Sequence, residues 1–307
     1  MTDKKTVLEV KNLSVSFKMY DKGLEQKDLE VITNLNISVK EGEVLAIAGS
    51  SGSGKSLLAH AVLGILPNNA KVAGEMLYCG KPLTSNLQKK LRGKELALVP
   101  QSVEYLDPLM RVGKQVAGVD GSIDKQREVF KKYNLSEAVE RLFPFQLSGG
   151  MARRVLVSTA VIGNAKLIIA DEPTPGLSKE MAKMAMSHFR ELADEGCAVL
   201  LITHDIDLAL SYADRIAVFY AGTTVEVASV EDFAKGPDAL RHPYTKALWE
   251  AIPQNGFKPI KGIQPYAGAL PDGCLFGPRC LMKTEACEKK IPMRELRGGE
   301  VCCIHAT

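Results

Sequence analysis

Residues Gly49-Ser50-Ser51-Gly52-Ser53-Gly54-Lys55-Ser56 fit the pattern G-x-x-x-x-G-K-[ST] and lead into Leu57. Glycines at these positions let successive backbone N–H groups converge on the β- and γ-phosphate oxygens of a nucleoside triphosphate. A helix opening at Lys55 adds the positive end of its dipole. Lys55 then neutralises phosphate charge, and the Ser56 hydroxyl is available to Mg2+. Far along the chain, Leu167-Ile168-Ile169-Ala170 ends in Asp171-Glu172. Neighbouring side chains on a strand point in different directions, so the two acids can divide the work. Asp171 would join the Mg2+ shell while Glu172 polarises an attacking water, which makes the expected reaction ATP hydrolysis.

The elements that must hold these groups are legible in the hydropathy pattern. Residues 6–17 and 31–39 alternate apolar and polar, as half-exposed antiparallel strands do, and the polar stretch 21–30 between them reads as a hairpin tip. Short apolar runs at 44–48, 167–170, 198–202 and 216–220 read as buried parallel strands. The phosphate loop follows the first of these and precedes a helical pattern over 55–66, which Pro67 should stop. Strand-like runs vanish over 103–163, where helical patterns dominate (125–133, 136–142 and 151–162), and a further helix is expected over 179–195. A doubly wound α/β core with a helical insert results. Beyond Gly236 the chain becomes Pro- and Gly-spaced with little periodicity.

Composition narrows the class. The 307 residues are 46% hydrophobic and 24% charged, ordinary for a globular protein. A net charge of +3, from 39 Lys and Arg against 36 Asp and Glu, is too small for a nucleic-acid footprint. The apolar runs are far shorter than the about 20 residues that cross a bilayer, and no apolar segment follows the amino-terminal lysines. A cytosolic chain is expected. Of the seven cysteines, Cys274, Cys280, Cys287, Cys302 and Cys303 crowd the carboxyl-terminal part, a distribution that in a reducing compartment suggests a metal site. Cys79 and Cys197 read as small hydrophobes.

Between the loop and the acidic strand lies Leu147-Ser148-Gly149-Gly150-Met151, which resembles the signature motif of ABC ATPases, with Met151 in place of the usual Gln. The resemblance implies a P-loop cassette with a RecA-like core, an antiparallel β subdomain and a helical insert. It also implies that Ser148, Gly149 and Gly150 form a helix tip facing the ATP of a second subunit. Gln101 matches the glutamine that reports Mg2+ and γ-phosphate occupancy, and His204 the switch histidine on the γ-phosphate. Phe17 occupies the position of the adenine-stacking aromatic, although an aromatic at a strand end equally serves packing. Ser178 stands where the family usually has Asp, which points to an altered partner site and an unequal pair.

Further on, Arg241-His242-Pro243-Tyr244 and the run from Gly273 through Cys274 and Phe276 to Arg279-Cys280 resemble the carboxyl-terminal extension of oligopeptide, dipeptide and nickel importer ATPases. That implies a nucleotide-binding domain over 1–236, with its insert at about 103–163, and an extension over 237–307. It implies two integral-membrane permeases, an extracytoplasmic solute-binding protein, and a station on the cytoplasmic face of the membrane. Relatives of this subfamily are thought to carry a 4Fe–4S cluster, and the spacing C-x5-C-x6-C-x15-C offers Cys274, Cys280, Cys287 and Cys303 as its ligands. Zinc or free thiols are the alternatives, and Cys302 could replace Cys303. A soluble ABC ATPase acting on nucleic acid or ribosomes is the competing class. A single P-loop, and too little chain between Lys55 and Ser148 for a long coiled coil, weigh against it.

Overall fold

The computed structural model describes residues 4–20, 25–50, 52–118 and 122–307. Along the chain, β1 (Thr6–Tyr20) and β2 (Gln26–Lys40) form an antiparallel pair, so residues 26–30, expected in the hairpin tip, are strand. The remainder of that tip, residues 21–24, lies outside the described residues. Next come β3 (Val44–Gly49), α1 (Lys55–Leu63), β4 (Ala70–Tyr78), β5 (Lys81–Pro82), α2 (Ser85–Leu91) and β6 (Leu96–Val99). The insert supplies α3 (Val112–Ala117), α4 (Ile123–Lys132), short 3-10 turns and α5 (Gly149–Val161). Then follow β7 (Leu167–Asp171), α6 (Lys179–Asp194), β8 (Ala198–Thr203), α7 (Ile206–Tyr212), β9 (Arg215–Tyr220) and β10 (Thr223–Ser229). The last elements are α8 (Val230–Lys235), α9 (Pro243–Ala251), β11 (Arg294–Leu296) and β12 (Gly299–Val301).

Two sheets result, one antiparallel in the order β2-β1-β4-β5, the other mixed in the order β11-β12-β10-β9-β3-β8-β7-β6. Strands β9, β3, β8, β7 and β6 run parallel. Strict alternation along β3 assigns Leu45 and Ile47 to a core shared with α1 and the antiparallel sheet. Val44, Ala46 and Ala48 face a second core, built from the insert, α6 and the carboxyl-terminal segment. Both faces of β3 are therefore covered, which is why its sequence is apolar throughout. Helix α1 stops at Leu63, short of the expected Pro67, because Gly64 takes a left-handed φ of 64° and its N–H bonds back to the last turn.

The segment after Gly236 is more ordered than its weak periodicity suggested. His242 caps α9, its Nδ1 accepting from the Tyr244 N–H at 3.0 Å, and Pro243 occupies the first turn, where a missing N–H costs nothing. Burial holds His242 neutral, its pKa pushed down to about 3. Tyr244 packs on Tyr220 and Phe276, with ring centroids 4.5 and 5.3 Å apart. Arg241, 1% exposed, pairs with the fully buried Glu226 of β10 at 3.2 Å and with Asp232 at 2.8 Å. It also donates to the Leu296 and Arg297 carbonyls. Glu226 meanwhile accepts the backbone N–H groups of Arg241 and His242. The His-Pro-Tyr run is therefore a structural joint that fixes the extension to β10. Truncating one partner of such a buried, hydrogen-bonded pair strands the other's charge, so Arg241→Ala should cost about 3–5 kcal/mol, read as a lowered denaturation midpoint in urea.

Candidate functional site

The register of the parallel strands brings the expected site together. Ala48 pairs with Thr203 and Asp171 with Ile202, so Gly49, His204 and Glu172 all emerge at the carboxyl edge of adjacent strands β3, β8 and β7. Ligands of open α/β sheets bind at that edge. Gly49 must lack a side chain, since a Cβ there would stand 2.5 Å from the Phe219 carbonyl oxygen of the neighbouring strand. Gly54, the residue that caps α1, has a φ of 94°, which only glycine adopts readily. Between them the loop curls so that Lys55 Nζ donates to the Gly49 and Ser50 carbonyls at 2.8 and 2.9 Å. Burial pulls the Lys55 pKa down, against the nearby Glu172 and Asp171 carboxylates that raise it. Gly52 is exposed, Ser53 is buried with an Oγ that has no partner among the described residues, and Leu57 packs partly into the core beneath α1. Ser51 lies outside the described residues.

Asp171 is almost fully buried, and that burial raises its pKa above the usual carboxylate range, with Glu172 adding to the effect and a hydrogen bond from Ser56 opposing it. Its Oδ1 has no hydrogen-bond partner among the described residues, and an orphaned buried carboxylate oxygen beside a serine hydroxyl is a donor set suited to Mg2+. Glu172 adopts a left-handed φ of 47°, a strained conformation for a residue with a side chain. Its N–H continues the ladder to Ile202, and its carboxylate Oε2 lies 2.8 Å from His204 Nδ1. His204 itself stays largely exposed at the rim.

Arg153 was not singled out by its sequence context, yet it ties the site together. Its guanidinium is buried and donates to the Pro100 carbonyl at 2.7 Å, to the Glu172 carbonyl, and to the Pro175 carbonyl at 3.4 Å. These carbonyls belong to the loop carrying Gln101, to the strained acid, and to the segment leading to Ser178. Only a planar fork of donors reaches three loops at once. Its partners lie 19 to 53 residues away along the chain, so no local pattern announced them.

The other expected residues fall in place to different degrees. Gln101 is exposed just past β6. Phe17 is half-buried on β1 against Leu29 and Ala70 and packs on the core of the antiparallel sheet. Ser148 caps α5, its Oγ accepting from the Met151 N–H, and a Cβ on Gly149 would meet nothing, so the helix tip is open. Ser178 has a local task, capping α6 through the Met181 N–H.

The cysteines depart from the expected ready-made ligand set. Among the described residues no three His, Cys, Asp or Glu side chains gather as a metal-binding group. Cys274, Cys280 and Cys287 are nonetheless all within electrostatic range of Cys303. Burial raises the thiol pKa of Cys274, and takes Cys303 and Cys302 to about 11. Protonated thiols are not ligands, and the loops hold them near one another without drawing the sulfurs together. The nearby backbone N–H groups of Phe276 and Gly277 oppose that rise at Cys274, and the Gly277 N–H bonds to the Cys274 carbonyl at 2.9 Å.

Replacing Arg153 with Lys keeps a charge but loses the fork. Turnover should fall about tenfold with KM for ATP nearly unchanged, because the contact positions Glu172 rather than the substrate. Steady-state ATPase assays check this.

Comparison with known proteins agrees with this geometry. Residues 32–175 match the family model described as ABC transporter, and residues 225–287 match the one described as oligopeptide/dipeptide transporter, C-terminal region. The oligopeptide transport ATP-binding protein OppD of Haemophilus influenzae is 34% identical over 316 residues, covering 96% of this chain and 95% of that protein. The dipeptide transport ATP-binding protein DppD of the same organism is 33% identical over 321 residues, covering 97% and 95%. Among solved structures, the ATP-binding cassette MJ0796, a dimer in a post-hydrolysis state bound to ADP and Pi, superposes with a TM-score of 0.64 at 26% identity. It covers 73% of this chain and 98% of that one. These matches do not favour the competing class of nucleic-acid or ribosome ATPases. The chain belongs to the ATP-binding subunits of ABC transporters, and it is an ATPase of the group that carries the oligopeptide/dipeptide transporter C-terminal region.

Proposed function

We propose that this subunit powers uptake of peptides, or of nickel or metal chelates, by driving two permeases from the cytoplasmic face of the membrane, supplied by an extracytoplasmic solute-binding protein. The peptide and transport names of relatives that span nearly its whole length support the reading. The observation that carries the chemistry is the Glu172–His204 pair, set at the strand edge beside Lys55 and Asp171. Glu172 takes the proton of the attacking water as its oxygen bonds to the γ-phosphorus, and the bond to the ADP oxygen breaks. Lys55 balances charge on the β- and γ-phosphates, and His204 holds the γ-phosphate end. Asp171 and Ser56, with Gln101 at the rim, would hold Mg2+, which when bound neutralises the phosphate oxygens.

No helix among the described residues is long and apolar enough to cross a membrane, and an exposed apolar patch on the insert suits a membrane partner. Val103, Tyr105, Leu109 and Met110 present it. Leu106, within the same stretch, is buried and anchors the loop. The open tip at Ser148, Gly149 and Gly150 suits the phosphates of a second cassette, and dimer closure over ATP is the power stroke. Serine at position 178 supports a heterodimer with one weakened site. Glu172→Gln in the assembled complex should cut turnover at least about 100-fold while nucleotide binding persists. ATP hydrolysis and peptide uptake in proteoliposomes measure both, and full turnover in the variant would sink the assignment.

The thiols of Cys274, Cys280, Cys287 and Cys303 form, in this reading, the ligand set of a structural 4Fe–4S cluster, with zinc as the alternative metal. The electrostatic reach of these thiols on one another and the resemblance of their spacing support it. Chain purified without oxygen should contain iron and acid-labile sulfide in equal amounts, and Cys287→Ser should lose both. Zinc in their place would assign the other metal, and neither would leave free thiols.

A further inference from the structure

We propose that residues 260–266 are a strap through which the carboxyl-terminal segment becomes part of the nucleotide site, with Gln264 as a further nucleotide-site residue. The inference rests on the ATP-site reading above and deepens it. Ser50, in the phosphate loop, donates its hydroxyl to Gln264 Oε1 at 2.7 Å across 214 residues of chain. The carbonyl of the same Ser50 holds Lys55 Nζ at 2.9 Å. Gln264 therefore grips the loop at the residue that aims the phosphate-neutralising lysine. The amide of Gln264 also carries an NH2 group with two donors, suited to anionic oxygens of a nucleoside triphosphate.

The strap is pinned on the near side of this contact. Arg279 donates from Nε to the Lys261 carbonyl at 2.9 Å and from Nη2 to the Ile260 carbonyl at 3.1 Å. Its Nη1 reaches the Tyr220 hydroxyl at 3.3 Å, and the guanidinium lies over the Tyr220 and Phe276 rings at 5.8 and 5.9 Å. Tyr220 ends β9, the strand beside β3, so the anchor stands at the same sheet edge as the phosphate loop. Gly262 rests against the Arg279 side chain with a left-handed φ of 80°, which turns the strap toward the loop. Past Gln264, the short turn Ala267–Ala269 packs along β2. A Cβ on Gly54 would meet β2 at the Val31 carbonyl, so β2 also borders the phosphate loop. The strap thus runs from the end of β9 past the phosphate loop to β2. Arg279 adjoins Cys280, so the cysteine-bearing loop holds the anchor.

The test uses the full chain, calorimetric titration with MgATPγS and with MgADP, and thermal melting to confirm folding. Gln264→Ala should weaken ATPγS binding about threefold to tenfold, the worth of one hydrogen bond, and ADP binding less. Arg279→Met should do the same without touching the loop, and Ser50→Ala should add little to Gln264→Ala. Unchanged affinity in folded Gln264→Ala overturns the proposal, as does tighter binding, which would make the strap an obstruction. If Arg279→Met fails to fold, Gln264→Ala decides alone. A wild-type chain that binds no ATPγS would refute the ATP-site reading itself, a separate failure from equal binding by wild type and variant.

Discussion

Two carboxylates, Asp171 and Glu172, stand side by side at the end of β7 with almost no access to water. Charges so placed repel each other and lack solvation, and the surrounding structure compensates for both. Lys55 arrives from the first turn of α1, and Arg153 from α5, each close enough for the acids to offset part of its own burial cost. The neighbouring Ser56 hydroxyl favours the charged form of Asp171. What remains is one buried oxygen without a partner and one strained acid reaching a histidine at the rim. That residue of unmet bonding is where a triphosphate and its cation gain most, so the polar imbalance left in the fold is the binding site.

Much of this was legible in the chain because its chemistry is local. A phosphate loop is a run of backbone conformations, and glycine at 49 and 54 with lysine at 55 declares it within eight residues. The Asp-Glu strand end and the Ser148 cap are equally local, since each needs only its own strand or helix. Arg153 was invisible because it acts on three carbonyls that approach it only after the sheet is assembled. Gln264 was invisible for the same reason. Strands β11 and β12 were missed because three residues carry no periodicity, and their pairing depends on a neighbour far away in the chain. Helix α1 ends before Pro67 because Gly64, whose effect as a stop depends on its left-handed φ, closes the last turn first.

The cysteine-bearing segment shows how a region with little apolar periodicity is kept ordered. Phe276 inserts into the core that also holds Tyr220 and Tyr244, while charged side chains serve as bolts. Arg241 fastens one side through two carbonyls and two carboxylates, and Arg279 the other mainly through carbonyl oxygens. Guanidinium groups suit this task because one side chain can satisfy several loop carbonyls that regular structure leaves unpaired.

The union of β12 with β10 bears on how the molecule can be cut. Glu226 and Val227 pair with Val301 and Glu300, and the Cys302 N–H continues to Val225, so the outermost backbone row of β10 is covered by the very end of the chain. A cassette shortened after residue 236 would bare that row, with its free donors and acceptors beside apolar Val225 and Val227. Such a margin recruits strands from other copies. A version that lacks β12 would trade a short polar border strand for a longer apolar one, which favours self-association.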